Sequence, residues 1–191
     1  MTVIIRLIKA LYISMSDEMI QKYIALFNAK QTKEILSSIE LSKYVEFLHF
    51  TPDKIGRGNI LNKYNKSYKM YFIRNQTGQC IGAVLDMCED LHWYILSKYR
   101  KKGHLTRAMK EDILPHLFTK NRNNQSITIS RGLGPKQYKA SESVAVNLGF
   151  KIDKLEDCII GNLSKDEFYK SIIKGELKNQ YKTTECPKHQ L

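Results

Sequence analysis

The stretch "YRKKGHLTRAMKEDILPHLF", Tyr99 to Phe118, decides how the chain folds around it. Arg100, Lys101 and Lys102 crowd against Gly103, and then a regular apolar rhythm sets in. Leu105, Met109, Ile113 and Leu117 recur at i, i+4, i+8 and i+12 with Ala108 beside them, which predicts a helix with one buried face. Pro115 is expected to bend or close it. A basic glycine turn at the head of a helix has two readings. The bland one is a solvated turn in a lysine-rich chain. The sharper one is an anion site, because the first helical residues leave backbone N–H groups unpaired and the aligned peptide dipoles put partial positive charge there. Glycine lets a ligand approach the backbone closely, and Arg107 adds a further full charge.

What precedes this stretch is a meander. "KMYFIRNQTGQCIGAVLDMCEDLHWYILS", Lys69 to Ser97, carries three aromatic or β-branched runs, broken at Asn75–Gly78 and at Glu89-Asp90. That pattern predicts strand, tight turn, strand, turn, strand, all antiparallel. Further upstream, Thr2–Lys9 reads as a first strand. Ser16-Asp17-Glu18 reads as a helix cap ahead of Met19, Tyr23, Ile24 and Phe27, and a second helical stretch is expected through Ile35, Ile39 and Leu41. His49 to Lys66, with Pro52, Gly56 and Gly58, is the least patterned part and is expected to be a loop. Downstream, "SITIS" (Ser126–Ser130) is a strand and "KASESVAVNLGF" a helix ending near Gly149. Two closing strands follow, then a capping-box pattern at Ser164–Glu167 announces a short C-terminal helix, with a disordered basic tail expected after Lys178.

Composition narrows the classes. With 191 residues, 42% hydrophobic and 26% charged, the chain is most simply one soluble globular domain with a substantial core. No apolar run approaches the roughly 18–20 residues that span a membrane, and "MTVIIRLIKALYIS" is interrupted by Arg6 and Lys9, so a cytoplasmic location is expected. Cys80, Cys88, Cys158 and Cys186 have neither CxxC spacing nor a neighbouring His pattern, so reduced thiols are expected, and no metal. The net charge of +12 permits an anionic partner. It comes mostly from scattered lysines, with no zinc-finger, RNP or basic-helix motif, so nucleic acid is not the expected partner.

The order of these elements resembles the GCN5-related N-acetyltransferase (GNAT) superfamily, over roughly residues 2–162. "YFIRNQTGQCIGAVL" resembles its strand-turn-strand. "WYILSKYRKKGHLTRAMKEDILPHLF" resembles its cofactor motif, in which an R/Q-x-x-G-x-G/A loop cradles the pyrophosphate of coenzyme A. "ASESVAVNLGF" resembles its second motif, a helix ending in Gly-Phe. The branch it resembles most contains the ribosomal-protein N-terminal acetyltransferases. The resemblance implies an α+β fold with a central, mixed and mostly antiparallel sheet, flanking helices and a splayed pair of central strands. It implies a GNAT domain over 1–162 and a C-terminal helix and tail over 163–191. It also implies transfer of an acetyl group from acetyl-CoA to a primary amine by direct attack, in a monomer or homodimer. A longer acyl group remains open. The alternative is a catalytically eroded GNAT-fold module that binds CoA or an acidic partner such as RNA.

Residue by residue, the resemblance makes Arg100 and Gly103 the first and fourth loop positions, with Leu105 where the family prefers Gly or Ala. Lys101, Lys102, Gly103, His104, Leu105 and Thr106 would offer backbone N–H groups to the pyrophosphate, and Ile95, Leu96 and Ser97 would pair with the pantetheine amides. The family's asparagine position holds Tyr138, and the position of its usual acid tyrosine falls on Val144 or Ala145. Ser141 or Tyr138 would then have to reprotonate the leaving thiolate. For the general base the candidates are Asp90, then Glu89, acting through water, with His92 nearby. The bland alternatives are solvated turn carboxylates for Glu89 and Asp90, a half-buried strand residue for His92, a surface helix residue for His104, and core or pocket wall for Trp93 and Tyr94. The acceptor's acidity matters: at pH 7 an α-amine with a pKa of ~8 costs about 1.4 kcal/mol to deprotonate, and a lysine at ~10.4 about 4.6.

Overall fold

The computed structural model describes residues 15–31, 35–51 and 67–182, with side chains as far as residue 173. The expected first strand, Thr2–Lys9, lies outside them, as do residues 52–66 of the expected loop His49–Lys66 and the tail beyond 182. His49 and Phe50, placed in that loop, are strand residues paired with Lys69 and Tyr68. Helix α1 (Asp17–Asn28) starts at Ser16, whose hydroxyl accepts the Met19 N–H at 3.3 Å. Asp17 and Glu18 occupy its first turn, where the helix dipole favours negative charge. Ile20, Tyr23 and Ile24 are buried, and Phe27 stacks on Phe72.

The second helix expected at Ile35–Leu41 is a strand instead. β1 (Ile35–Ser42) pairs antiparallel with β2 (Val45–Phe50) across the Lys43-Tyr44 turn. The spacing of Ile35 and Ile39 suits a helix, but it marks no buried face, since Ile35, Leu36 and Ile39 are 43%, 57% and 42% exposed. Ladder pairing with a strongly buried neighbour, β2, overrides the local period.

The predicted meander is present as β3 (Tyr68–Arg74), β4 (Cys80–Asp86) and β5 (Leu91–Ile95). One antiparallel sheet results, in the order β1-β2-β3-β4-β5. β4 is buried along its whole length, and it lies so close to β5 that a Cβ on Gly82 would collide with Ile95 Cδ1 and stand 2.7 Å from the Tyr94 carbonyl oxygen. Burial holds the Cys80 thiol on this strand up at about 12, so it stays protonated.

Helix α2 follows, over residues 104–119. It is α-helical at His104–Ala108, opens into one π turn at Met109–Ile113 and is α-helical again over Leu114–Thr119. The Leu114 N–H donates five residues back, to Met109 O. Two local causes coincide here. In a straight α-helix a four-residue apolar spacing drifts about 40° per step, so Leu105 and Leu117 would end about 120° apart. A wider turn takes up that drift, and all four stripe residues are buried. Pro115 does not close the helix but is carried within it, the widened turn directly before it accommodating its ring and missing N–H.

β6 (Asn124–Ser130), α3 (Pro135–Asn147), β7 (Lys151–Lys154) and β8 (Cys158–Ser164) complete the fold, the three strands forming an antiparallel sheet in the order β6-β8-β7. Helix α4 (Lys165–Lys182) is longer than the short helix expected and continues past Lys178. The capping contact is present: Ser164 Oγ accepts from the Glu167 N–H at 3.3 Å. The core has two parts. One, built on Ile20, Ile24, Leu48 and Phe72, lies between α1 and one face of the five-stranded sheet, and the other, built on Tyr71, Met109, Phe118 and Phe168, lies on the opposite face with α2 and α3. The architecture is therefore α+β, an antiparallel five-stranded sheet with flanking helices.

Phe118 is fully buried against Phe168, so Phe118→Ala should cost about 3–5 kcal/mol in urea denaturation. His116 on the same helix lies 3.0 Å from the Tyr71 hydroxyl, and burial, helped by Lys120, holds its pKa below the usual 6.5. The folded state thus resists protonation of His116. Its contribution to stability is full above pH 6.5 and falls as the pH drops below that value. Denaturation measured across pH 5–8 should show this loss, reduced in His116→Gln.

Candidate functional site

The two sheets meet at one point. Ser126 N–H donates to Glu89 O at 3.0 Å, as the next step of a continuous sheet would require. Two residues on, Thr128 N–H donates not to a β5 carbonyl but to the carboxylate of Asp90, at 2.9 Å. Asp90 Oδ1 also accepts the Leu91 N–H at 2.8 Å. The Gln125 amide fixes the same corner through Glu89 O (2.9 Å), and Arg122, paired with the buried Asp86, bonds Gln125 Oε1 at 2.6 Å. Beyond this corner β5 and β6 belong to separate sheets, and a cleft of about 800 Å³ opens between them.

The far end of the cleft is the basic glycine loop. Lys101 and Gly103 both have left-handed backbone, φ +60° and +75°, an alternation that turns successive N–H groups to one side. Among the described residues, the N–H groups of Gly103 to Thr106 meet no backbone acceptor, the first helical bond being Arg107 N–H to Gly103 O. A non-glycine residue in this conformation costs of order 1 kcal/mol, a strain that Lys101 carries. The cations nearby are stacked on tyrosines. Arg100 lies over Tyr94 at 5.2 Å, Lys98 and Lys102 over Tyr99 at 5.0 and 5.7 Å, and Arg107 over Tyr44 at 4.0 Å. Burial, then Arg107 and Lys102, lowers the pKa of His104, which disfavours its imidazolium form.

Of the residues singled out in the sequence, Ile95, Ser97, Arg100, Lys101, Lys102, Gly103, His104, Leu105, Thr106 and Ser141 line this cleft. Leu96 does not: its N–H bonds Ile81 O and its side chain packs toward α1. Arg100 is turned inward, its Nε donating to Ile95 O at 2.8 Å. Glu89 and Asp90 stand at the corner, outside the lining. The Tyr138 hydroxyl is buried without a hydrogen-bond partner, and Tyr138 is not part of the cleft lining. Ser141 faces Trp93, whose Nε1 lies 3.4 Å from its Oγ. Among the lining residues that carried no functional signal in the sequence are Asp17 at the start of α1, and Lys136 and Gln137 in the first turn of α3.

No family model matches the chain, and no curated protein does. Solved structures do. The chain is similar in fold to the spermidine/spermine N-acetyltransferase SpeG of Vibrio cholerae (14% identity, TM-score 0.43, covering 55% of this chain and 69% of that one). It is similar to the ribosomal-protein-S5-alanine acetyltransferase of Vibrio fischeri (17%, 0.42, covering 53% and 63%). It is also similar to the microcin C7 self immunity acetyltransferase MccE, solved in complex with acetyl-CoA and AMP (17%, 0.40, covering 50% and 59%). These are likenesses of shape at low identity, and the chemistry of the cleft follows from its own residues. No helix among the described residues is long and apolar enough to cross a membrane, and none of their His, Cys, Asp and Glu side chains group as a metal site.

Asp90→Ala removes the acceptor of the exposed Thr128 N–H and should cost about 0.5–1.5 kcal/mol, whereas Asp90→Asn keeps an oxygen there and should cost less. Equal losses in urea denaturation would show that the corner does not depend on this acceptor.

Proposed function

We propose that this chain is an acetyl-CoA-dependent N-acetyltransferase of the GNAT type, acting on a primary amine. The observation that carries the reading is the run of N–H groups from Gly103 to Thr106 that meet no backbone acceptor, at the end of a cleft between parting strands. Such a run suits a diphosphate. It supplies several donors on one surface, it heads a helix of sixteen residues, and Arg100, Lys101, Lys102 and Arg107 surround it. Ile95 and Ser97, on the wall between loop and corner, suit the arm of the cofactor. Acetyl-CoA would supply an activated thioester carbonyl in the cleft.

The protein's own part is then to bind, orient and move one proton. Ser141 is the hydroxyl on the cleft face of α3, and its Oγ–H can be offered to a leaving sulfur while Trp93 holds the oxygen from the other side. Val144, one turn further, carries no proton to give. A thiolate leaves readily near its own pKa of ~8.5, so a weak donor suffices.

The test is thermal unfolding with and without acetyl-CoA. At ~100 times its dissociation constant the ligand should stabilise by about 2.7 kcal/mol, raising the midpoint by roughly 5–11 °C. Gly103→Glu, which places a carboxylate on the cradle and a side chain at φ +75°, should abolish the shift. No shift for the wild-type protein at millimolar ligand overturns the reading. A shift without amine-dependent release of thiol would leave a CoA-binding module.

A further inference from the structure

Strand β5 shows a different chemistry to each side of the sheet. Trp93 and Ile95 pack with α2 and α3, whereas Tyr94 packs with α1. His92 shares the α1 side with Tyr94, by the alternation of a strand, and its Nε2 lies 2.9 Å from Oδ1 of Asp17 in the first turn of α1. Both side chains line the cleft and both are partly exposed. Ser141 faces Trp93 on the opposite side, and the basic loop lies at the far end of the cleft. The cleft therefore has two approaches, a cationic one past the loop and a second one past Asp17 and His92.

We infer that the acceptor amine enters from the α1 side and that His92, oriented by Asp17, takes its proton. The inference rests on the cofactor reading above. With Nε2 engaged by a carboxylate, the neutral ring carries its proton on Nε2 and presents the Nδ1 lone pair, which fixes the basic atom. The amine nitrogen forms the N–C bond to the acetyl carbon, the C–S bond breaks with its electron pair leaving on sulfur, and the amine proton passes to Nδ1. Solvent later removes that proton, and the sulfur gains one, so the sum is amide plus free thiol. Asp17 stabilises the imidazolium formed in between.

The surroundings support this assignment. Opposite His92 on β4 stands the apolar Leu85, and β6 presents Thr128. Along β5 the neighbours of like orientation are Tyr94 and Asp90, the latter bonded to Leu91 and Thr128 N–H. The other lining histidine, His104, sits in the cationic loop. Asp17 is thus the carboxylate placed to pair with His92, and it also gives the α1 approach a negative charge that suits an ammonium group.

The experiment measures thiol release from acetyl-CoA with a panel of probe amines: methylamine, spermidine and an alanyl peptide with a free N-terminus. Acetyl-CoA stabilisation is recorded on the same samples. His92→Gln should lower kcat about 10²–10⁴-fold, leave KM for acetyl-CoA and the thermal shift unchanged, and remove the rise of rate with pH. Asp17→Asn should lower kcat with KM unchanged, and Asp17→Glu should restore part of it. Amine-dependent release that His92→Gln leaves intact overturns the assignment. So does a wild-type protein that acetyl-CoA stabilises but that releases no thiol with any probe. Loss of stabilisation itself would instead overturn the cofactor reading beneath it.

Discussion

The parting of β5 from β6 is the constraint on which the rest depends. A sheet of eight strands could have run on unbroken, since Ser126 is already in register with Glu89. What stops it is one carboxylate. Asp90 offers an acceptor to Thr128 N–H where a strand carbonyl would otherwise stand, so the next ladder bond is made by a side chain. The carboxylate thus takes the place of a strand carbonyl for a donor that the parting strands would otherwise leave to solvent. Arg122, Asp86 and Gln125 lock the corner from behind. The position that the sequence marks for proton transfer thus has a mechanical task in the fold.

From that corner the cleft inherits its shape. Helix α2 must leave the end of β5 and return to the beginning of β6, and the loop at its head is thereby carried to the mouth of the opening. The π turn keeps the helix's apolar stripe on the core over its full length. The buried face of α2 therefore determines where its exposed N–H groups point. Packing and site geometry are one problem here.

How much of this could be read from the sequence follows the range of the interactions. The meander, the helix at Leu105–Leu117 and the basic loop are local, and alternation, turn residues and apolar spacing reveal them. β1 was misread because Ile35 and Ile39 fit a helix as well as an edge strand, and only the ladder to β2 decides. Asp17 and His92 lie 75 residues apart in sequence, so no spacing rule joins them. Ser141 and Tyr138 were indistinguishable as candidates, yet about 60° of rotation around α3 separates a cleft wall from a buried hydroxyl.

The stacked cations at the loop have a thermodynamic consequence. Arg100, Lys102 and Arg107 each rest against a tyrosine face before any anion arrives. Ordering a long charged side chain at a binding event usually costs about 0.5–1.5 kcal/mol, and here folding has already met much of that cost. The positive field is preorganised. An arriving anion would find its counter-charges in place, so its affinity would be set more by fit to the backbone than by recruitment of lysines from solution.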